Sequence, residues 1–178
     1  MSMTDKARVR PTLAAALCAM MFVIATGAGT RAADESGSGL PVPRFVSLKA
    51  DKVNVRNGPN KNQDVTWVFS RAGLPVEITA EFETWRRIRD AEGSEGWVYH
   101  SMLSGRRTAL VAPWNKSGTV ALRADPRTDS RVTAQLERGV IGTLKTCDGK
   151  WCRFLGQGFD GYVEQSELWG VYPNEKVE

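Results

Sequence analysis

The sequence is poor in the side chains from which most metal and catalytic sites are built. Only one of its 178 residues is histidine and three are cysteine. A structural zinc site draws several such ligands together, and His100 lies far along the chain from Cys147 and Cys152. The turn VRNGPN also lacks the form of a phosphate-binding loop before a helix. We therefore expect no metal and no cofactor.

The sequence also offers few side chains that could act together in nucleophilic catalysis. A cysteine nucleophile needs a free thiolate beside a histidine base. His100 has Ser101 next to it, but consecutive strand side chains point to opposite faces, so the two cannot pair. Paired carboxylates are the one arrangement that spacing leaves open, although the acids are scattered among turns with as many bases beside them. We expect that the protein is not an enzyme.

The positive charge is concentrated at the N-terminus. Residues 1–33 contain four of the 24 basic residues and one of the 20 acidic ones, which leaves 20 basic and 19 acidic side chains in the rest. Nucleic-acid-binding proteins carry a concentrated basic surface, and the run Arg86-Arg87-Ile88-Arg89 is instead flanked by acids. We expect no nucleic-acid partner.

Residues 1–33 have the pattern of a signal peptide. Basic residues precede the uncharged run LAAALCAMMFVIATGAG, and small residues follow it. Cleavage is expected near Ala32 or Ala33, with an uncleaved membrane anchor as the alternative. The mature protein would then be periplasmic or secreted, and it would contact a membrane only through an uncleaved signal segment. Residues 34–44 are predicted to form a flexible spacer.

The two remaining cysteines flank a turn in the stretch TCDGKWCRF. Asp148-Gly149-Lys150 is typical of a hairpin turn, and an oxidising compartment preserves disulfides. A disulfide between Cys147 and Cys152 is favoured over a redox-active pair, which needs C-x-x-C, and over a metal site.

The rest of the chain is a tandem repeat. VNVRNGPN (53–60) matches VALRADPR (120–127), and EGWVYHSMLSG (95–105) matches DGYVEQSELWG (160–170). The offset between the copies falls only from 67 to 65. This alignment places Cys147 and Cys152 on Glu81 and Arg86, which predicts an exposed cross-strand ion pair where the second copy has the disulfide.

Each copy is predicted to be all-β. Short alternating segments rich in β-branched and aromatic residues are separated by Gly, Pro, Asn and Asp every eight to twelve residues. We predict two tandem small β-barrels of five or six strands, a first module over 45–109 and a degenerate second module over 110–178. Trp114 in the linker is expected to wedge between them.

The motifs V-N-V-R-x-G-P and G-W-V-x-x-S-x-L, with a tryptophan strand between them, resemble the bacterial SH3-like domain. More narrowly, the whole chain after residue 33 is similar to an exported tandem-module group of alpha-proteobacteria. The resemblance implies SH3-like barrels that bind peptidoglycan or its peptides.

The abundant aromatic residues supply candidates for a ligand site. Six tryptophans lie after residue 33, and small barrels use such rings both in the core and as ligand platforms. Alternation puts Val98 and Val163 in the core and the side chains of Trp97 and Tyr99 on the opposite face. The candidate ligand-binding residues are Arg56, Trp85, Trp97 and Tyr99; core packing for the tryptophans, and pairing near the turn for Arg56, remain open alternatives.

The sequence thus predicts an exported, non-catalytic protein that binds peptidoglycan, a cell-wall peptide or another cell-envelope protein in the periplasm. The alternative is a structural or assembly subunit of an envelope complex without a small ligand of its own.

Overall fold

The structure is a computed structural model, and it describes residues 37–178. The predicted signal peptide lies outside the described residues. Within residues 37–178 the secondary structure consists of strands and two short 3-10 turns, so the all-β prediction is confirmed.

The first copy forms a seven-stranded sheet in the order β3-β2-β6-β5-β4-β1-β7. All six pairs of neighbouring strands in this sheet are antiparallel. The sheet surrounds a core of aliphatic side chains that includes Val53, Val55, Ile88 and Val98, all fully buried. The strands are β1 (Arg44–Leu48), β2 (Val53–Arg56), β3 (Val65–Phe69), β4 (Pro75–Phe82), β5 (Trp85–Arg89), β6 (Glu95–Tyr99) and β7 (Leu103–Ser104).

The second copy repeats this order as β10-β9-β13-β12-β11-β8-β14, and an additional strand, β15, pairs with β11. Its separate core contains Leu122, Phe154 and Val163. The predicted core positions Val98 and Val163 are both 0% exposed. The strands are β8 (Thr108–Val111), β9 (Thr119–Arg123), β10 (Val132–Glu137), β11 (Ile141–Asp148), β12 (Trp151–Gly156), β13 (Phe159–Glu164), β14 (Leu168–Trp169) and β15 (Lys176–Val177).

The disulfide closes the β11–β12 hairpin of the second copy. Cys147 and Cys152 are direct cross-strand partners, joined by an S–S bond and buried at 5% and 0% exposure. The Asp148 carboxylate accepts hydrogen bonds from the backbone N–H groups of Trp151 and Lys150, both at 2.8 Å, and these bonds hold its pKa below the ordinary value. The predicted hairpin staple is present in the structure.

Reduction of this disulfide should lower the free energy of unfolding by about 2 kcal/mol, because the bond restricts a short loop of the unfolded chain. Urea unfolding of residues 34–178 with and without a thiol reductant measures the difference. The doubly substituted Cys147→Ala, Cys152→Ala protein should be indifferent to the reductant. An equal effect of reductant on that variant would contradict the assignment.

In the first copy the same hairpin position holds an ion pair, as the alignment predicts. Glu81 and Arg86 are direct partners of β4 and β5, and their Oε1 and Nε atoms lie 3.1 Å apart. The expectation that this pair is exposed is wrong: the side chains are 0% and 9% exposed. Burial results from the chain that precedes β1, which lies over the hairpin.

Part of the predicted spacer is therefore docked instead of free. The backbone N–H and the hydroxyl of Ser38 each donate to the Glu81 carboxylate at 2.8 Å, and the Arg44 guanidinium donates to it at 2.5 Å. In the second copy, β15 takes a comparable place beside the disulfide hairpin, where Val177 pairs with Cys147. The segment 38–44 and the strand β15 thus each cover one long hairpin.

Rings from both modules pack together at the junction between them. The Phe45 ring lies 5.1 Å from Trp169 and 4.7 Å from Tyr172, centroid to centroid. The Tyr172 hydroxyl donates to the Glu77 carboxylate of the first module at 2.8 Å. Burial, together with this carboxylate, raises the pKa of Tyr172, so the hydroxyl keeps its proton.

Trp114 does not wedge between the two modules as expected, because its side chain is 52% exposed. The packed aromatic contact is made by Phe45, Trp169 and Tyr172 instead.

Candidate functional site

The candidate ligand-binding residues lie on the outer face of the first sheet. Trp85 on β5 is the direct cross-strand partner of Tyr99 on β6, and Trp97 is the partner of both Arg87 on β5 and Arg56 on β2. Alternation explains this placement, because the intervening Val98 points into the core. The four predicted positions therefore share one face.

Two of them form a continuous aromatic surface with a neighbour. The rings of Trp85 and Tyr99 meet edge to face at 5.5 Å, and the Tyr99 ring lies 4.9 Å from the His100 ring. The Lys61 ammonium is 5.9 Å from the Tyr99 ring centroid, within the range of a cation–π interaction. We refer to Lys61, Trp85, Tyr99 and His100 as the first-module groove.

The members of the groove differ in exposure. Trp85 is 7% exposed and supports the Tyr99 ring from within, whereas Tyr99 is half-buried and Lys61 and His100 are exposed. A half-buried ring such as that of Tyr99, beside exposed polar groups, can hold an apolar portion of a ligand and leave its polar end in water. Lys61 adds a positive charge that would attract a ligand carboxylate.

Lys61 and His100 were not among the predicted site residues. His100 does not continue the strand: it begins the 3-10 turn His100–Met102, and its ring lies against that of Tyr99. The repeat contains no signal for Lys61, because its register places Arg127 on Asn60 and aligns Lys61 with Thr128.

Arg56 and Trp97 occupy a separate row of the same face. Arg56 Nη1 donates to the Gln63 carbonyl at 2.6 Å, and its counterpart Arg123 donates to the Ser130 carbonyl at 2.9 Å. Pairing near the turn, the open alternative for Arg56, is therefore observed in both modules. In the first module, this hydrogen bond of Arg56 holds the loop that carries Lys61.

The second module has a different surface at the equivalent place. Its Trp151 is paired with Glu164, where the first module pairs Trp85 with Tyr99. Arg127, Lys150 and Asp148 line a shallow pocket beside the Trp151 ring. The first-module groove is aromatic, and its second-module counterpart is charged.

No cluster of three or more His, Cys, Asp or Glu side chains within residues 37–178 could hold a metal ion. The same residues include no helix of the length and apolar character that crossing a bilayer requires.

Comparison with known proteins agrees with the repeat. Residues 49–105 and 116–170 each match the family model described as bacterial SH3 domain. Among curated proteins, none matches this chain.

Two solved structures from Trichomonas vaginalis show a distant similarity. NlpC2 is 15% identical with a TM-score of 0.32, over 71% of this chain and 48% of that one. NlpC1 has the same identity and TM-score, over 75% of this chain and 48% of that one. The chain thus spans about half the length of these two proteins. Since the family model covers well over half of the residues in two copies, the chain belongs to the bacterial SH3 domain family.

Proposed function

We propose that this is an exported, non-catalytic protein that binds a cell-wall peptide through the first-module groove. The observation that carries the proposal is the continuous surface of Trp85, Tyr99 and His100 with Lys61 at its edge. Bacterial SH3 domains commonly bind peptidoglycan or proteins, and this surface is of a kind that either ligand could use.

The groove is suited to a short peptide with a free carboxylate. The Tyr99 ring, supported by Trp85, binds apolar atoms, while the Lys61 ammonium attracts the carboxylate. The Arg56 bond to the loop carbonyl restricts the position of Lys61 before the ligand arrives, which lowers the entropic cost of binding.

A binding role without catalysis is supported by the state of the reactive side chains. Cys147 and Cys152 are joined to each other, and His100 packs on Tyr99. Neither cysteine therefore supplies a thiolate that His100 could activate. The signal-peptide pattern of residues 1–33 supports export to the compartment where the cell wall lies.

Tyr99→Ala should weaken binding to isolated peptidoglycan about tenfold or more, because the central aromatic contact is lost. Co-sedimentation of residues 34–178 with isolated peptidoglycan measures the bound fraction against concentration. Tyr162→Ala is the matched control, since Tyr162 is a half-buried tyrosine on the corresponding strand of the second module.

Equal loss in both variants would contradict the assignment to the first module. Absence of saturable binding by the unmodified protein would contradict a wall ligand. A molecular mass that rises with protein concentration would then favour an assembly subunit.

A further inference from the structure

A second cleft lies at the junction of the two modules, outside the first-module groove. It has a volume of about 560 Å³. Phe45, Glu77 and Arg89 line it from the first module, and Trp114, Trp169 and Tyr172 line it from the second. We refer to it as the inter-module cleft. Its size falls within the range of small-ligand sites.

Two residues that line this cleft have buried polar atoms without a hydrogen-bond partner. Gln165 is only 5% exposed, and its Nε2 donates to the carbonyls of Tyr172 at 2.6 Å and Glu175 at 3.1 Å. Its Oε1 accepts no hydrogen bond, and the indole Nε1 of Trp169 donates none. Each atom exposes less than 1 Å². Buried polar groups without partners are uncommon and unfavourable.

The unpartnered pair consists of one acceptor and one donor. A peptide backbone carries the complementary groups along one short stretch, a carbonyl for Trp169 Nε1–H and an N–H for Gln165 Oε1. The apolar wall of Phe45, Leu168 and Val171 suits small aliphatic side chains between them. The half-exposed Trp114 ring adds a surface against which an extended segment can pack.

We propose that the inter-module cleft binds an extended peptide segment, which hydrogen-bonds to Trp169 Nε1 and Gln165 Oε1. Because both atoms are almost inaccessible in the free protein, side chains of the cleft rotate to admit the peptide. The two hydrogen bonds gained offset the cost of that rotation. This site is independent of the proposed function, since none of its lining residues belongs to the first-module groove.

Two peptide sites on one chain could bind the same polymer at the same time. A polymer that presents repeated peptides could occupy both sites together, and the second contact would then be intramolecular. Such a ligand would be retained longer than either site alone allows.

Nuclear magnetic resonance of ¹⁵N-labelled residues 34–178 tests the proposal, with acetyl-tetraalanine amide as the probe. The Trp169 indole N–H signal should shift saturably, while the Trp85 signal in the first-module groove should not. A peptide methylated on its backbone nitrogens keeps the carbonyls but has no N–H for Gln165, and it should bind about tenfold more weakly.

Trp169→Phe separates this role from structure. The substitution keeps a ring against Phe45 but removes the indole donor, so the melting temperature should stay the same or rise. Peptide affinity should nevertheless fall about tenfold. Trp67→Phe, which changes a tryptophan outside this cleft, should leave the affinity unchanged.

Four results would overturn the proposal. One is an unchanged peptide affinity in Trp169→Phe, and another is no shift of the Trp169 signal up to the solubility limit of the probe. The third is a Trp169 shift caused by N-acetylglucosamine but not by the peptide, which would assign the cleft to a sugar. The fourth is a Trp169 shift caused by dilution of the protein but not by the peptide, which would assign the cleft to a second copy. The first-module groove is tested separately, by the loss of peptidoglycan binding in Tyr99→Ala.

Discussion

Replacing Glu81 by alanine should lower the free energy of unfolding by about 3 kcal/mol, because removal of one partner leaves buried charges without compensation. The Glu81 carboxylate is 0% exposed and pairs with both Arg44 and Arg86. It also accepts two hydrogen bonds from Ser38. Its loss would therefore release the N-terminal segment as well as weaken the β4–β5 hairpin. Urea unfolding followed by tryptophan fluorescence measures the change.

Glu92→Ala is the matched control for this prediction. Glu92 is an exposed glutamate in the β5–β6 turn, and it forms no ion pair with the described residues. Its substitution should change the unfolding free energy by less than about 0.5 kcal/mol. Similar losses in the two variants would contradict a special role for Glu81.

The contribution of the Glu81 carboxylate to stability should also depend on pH. Burial alone would raise the pKa of Glu81, but the hydrogen bonds from Arg44 and Ser38 outweigh it and hold the pKa below the ordinary value of 4.5. The charged form is thus favoured by folding, so this contribution is present above pH 4.5 and is lost as the pH falls through the lowered pKa. The Glu81→Ala protein should lose less stability over that acidic range.

Gly161→Ala should be comparably damaging, with a loss of roughly 3 kcal/mol from overpacking. Gly161 lies on β13 where this strand pairs with β9. The two strands share one register pair, Tyr162 with Arg123, and Gly161 is next to it in the chain. A Cβ at Gly161 would approach the Arg123 carbonyl to 2.6 Å and Leu122 Cγ to 2.8 Å. The backbone would have to move, and the contact between the two strands would open.

Gly105→Ala provides the comparison, because an added Cβ there meets no atom within 4 Å. That variant should unfold at nearly the same urea concentration as the unmodified protein. If both glycine variants lost the same stability, the clash at the crossing would not be the cause. The first module has the same requirement at Gly96, where a Cβ would lie 2.4 Å from Val55 Cγ1.

The repeat made a large part of this fold predictable. Because the two copies keep their register, a turn recognised around Gly149 also fixes the position of the Glu81–Arg86 hairpin, and the structure confirms both pairings. Period-two alternation placed Val98 inside and Tyr99 outside, since each module has one core face.

The features that the sequence did not predict depend on contacts between distant segments. The burial of Glu81 requires Ser38, 43 residues away, and the junction requires Tyr172 to reach Glu77, 95 residues away. Alternation within one strand contains no information about such contacts. The groove was also incomplete in the prediction, because Lys61 and His100 come from a loop and a 3-10 turn, where alternation does not apply.

The equivalent hairpins of the two modules are closed by different chemistry, and only the second therefore responds to a thiol reductant. The first is closed by a carboxylate–guanidinium pair, which protons can disrupt but a thiol cannot. The second is closed by a sulfur–sulfur bond, which electrons can break but mild acid cannot. Reduction should therefore weaken the second hairpin alone, whereas acidification should act on the first through Glu81 and also on the second through Asp148, whose hydrogen-bonded carboxylate likewise has a lowered pKa.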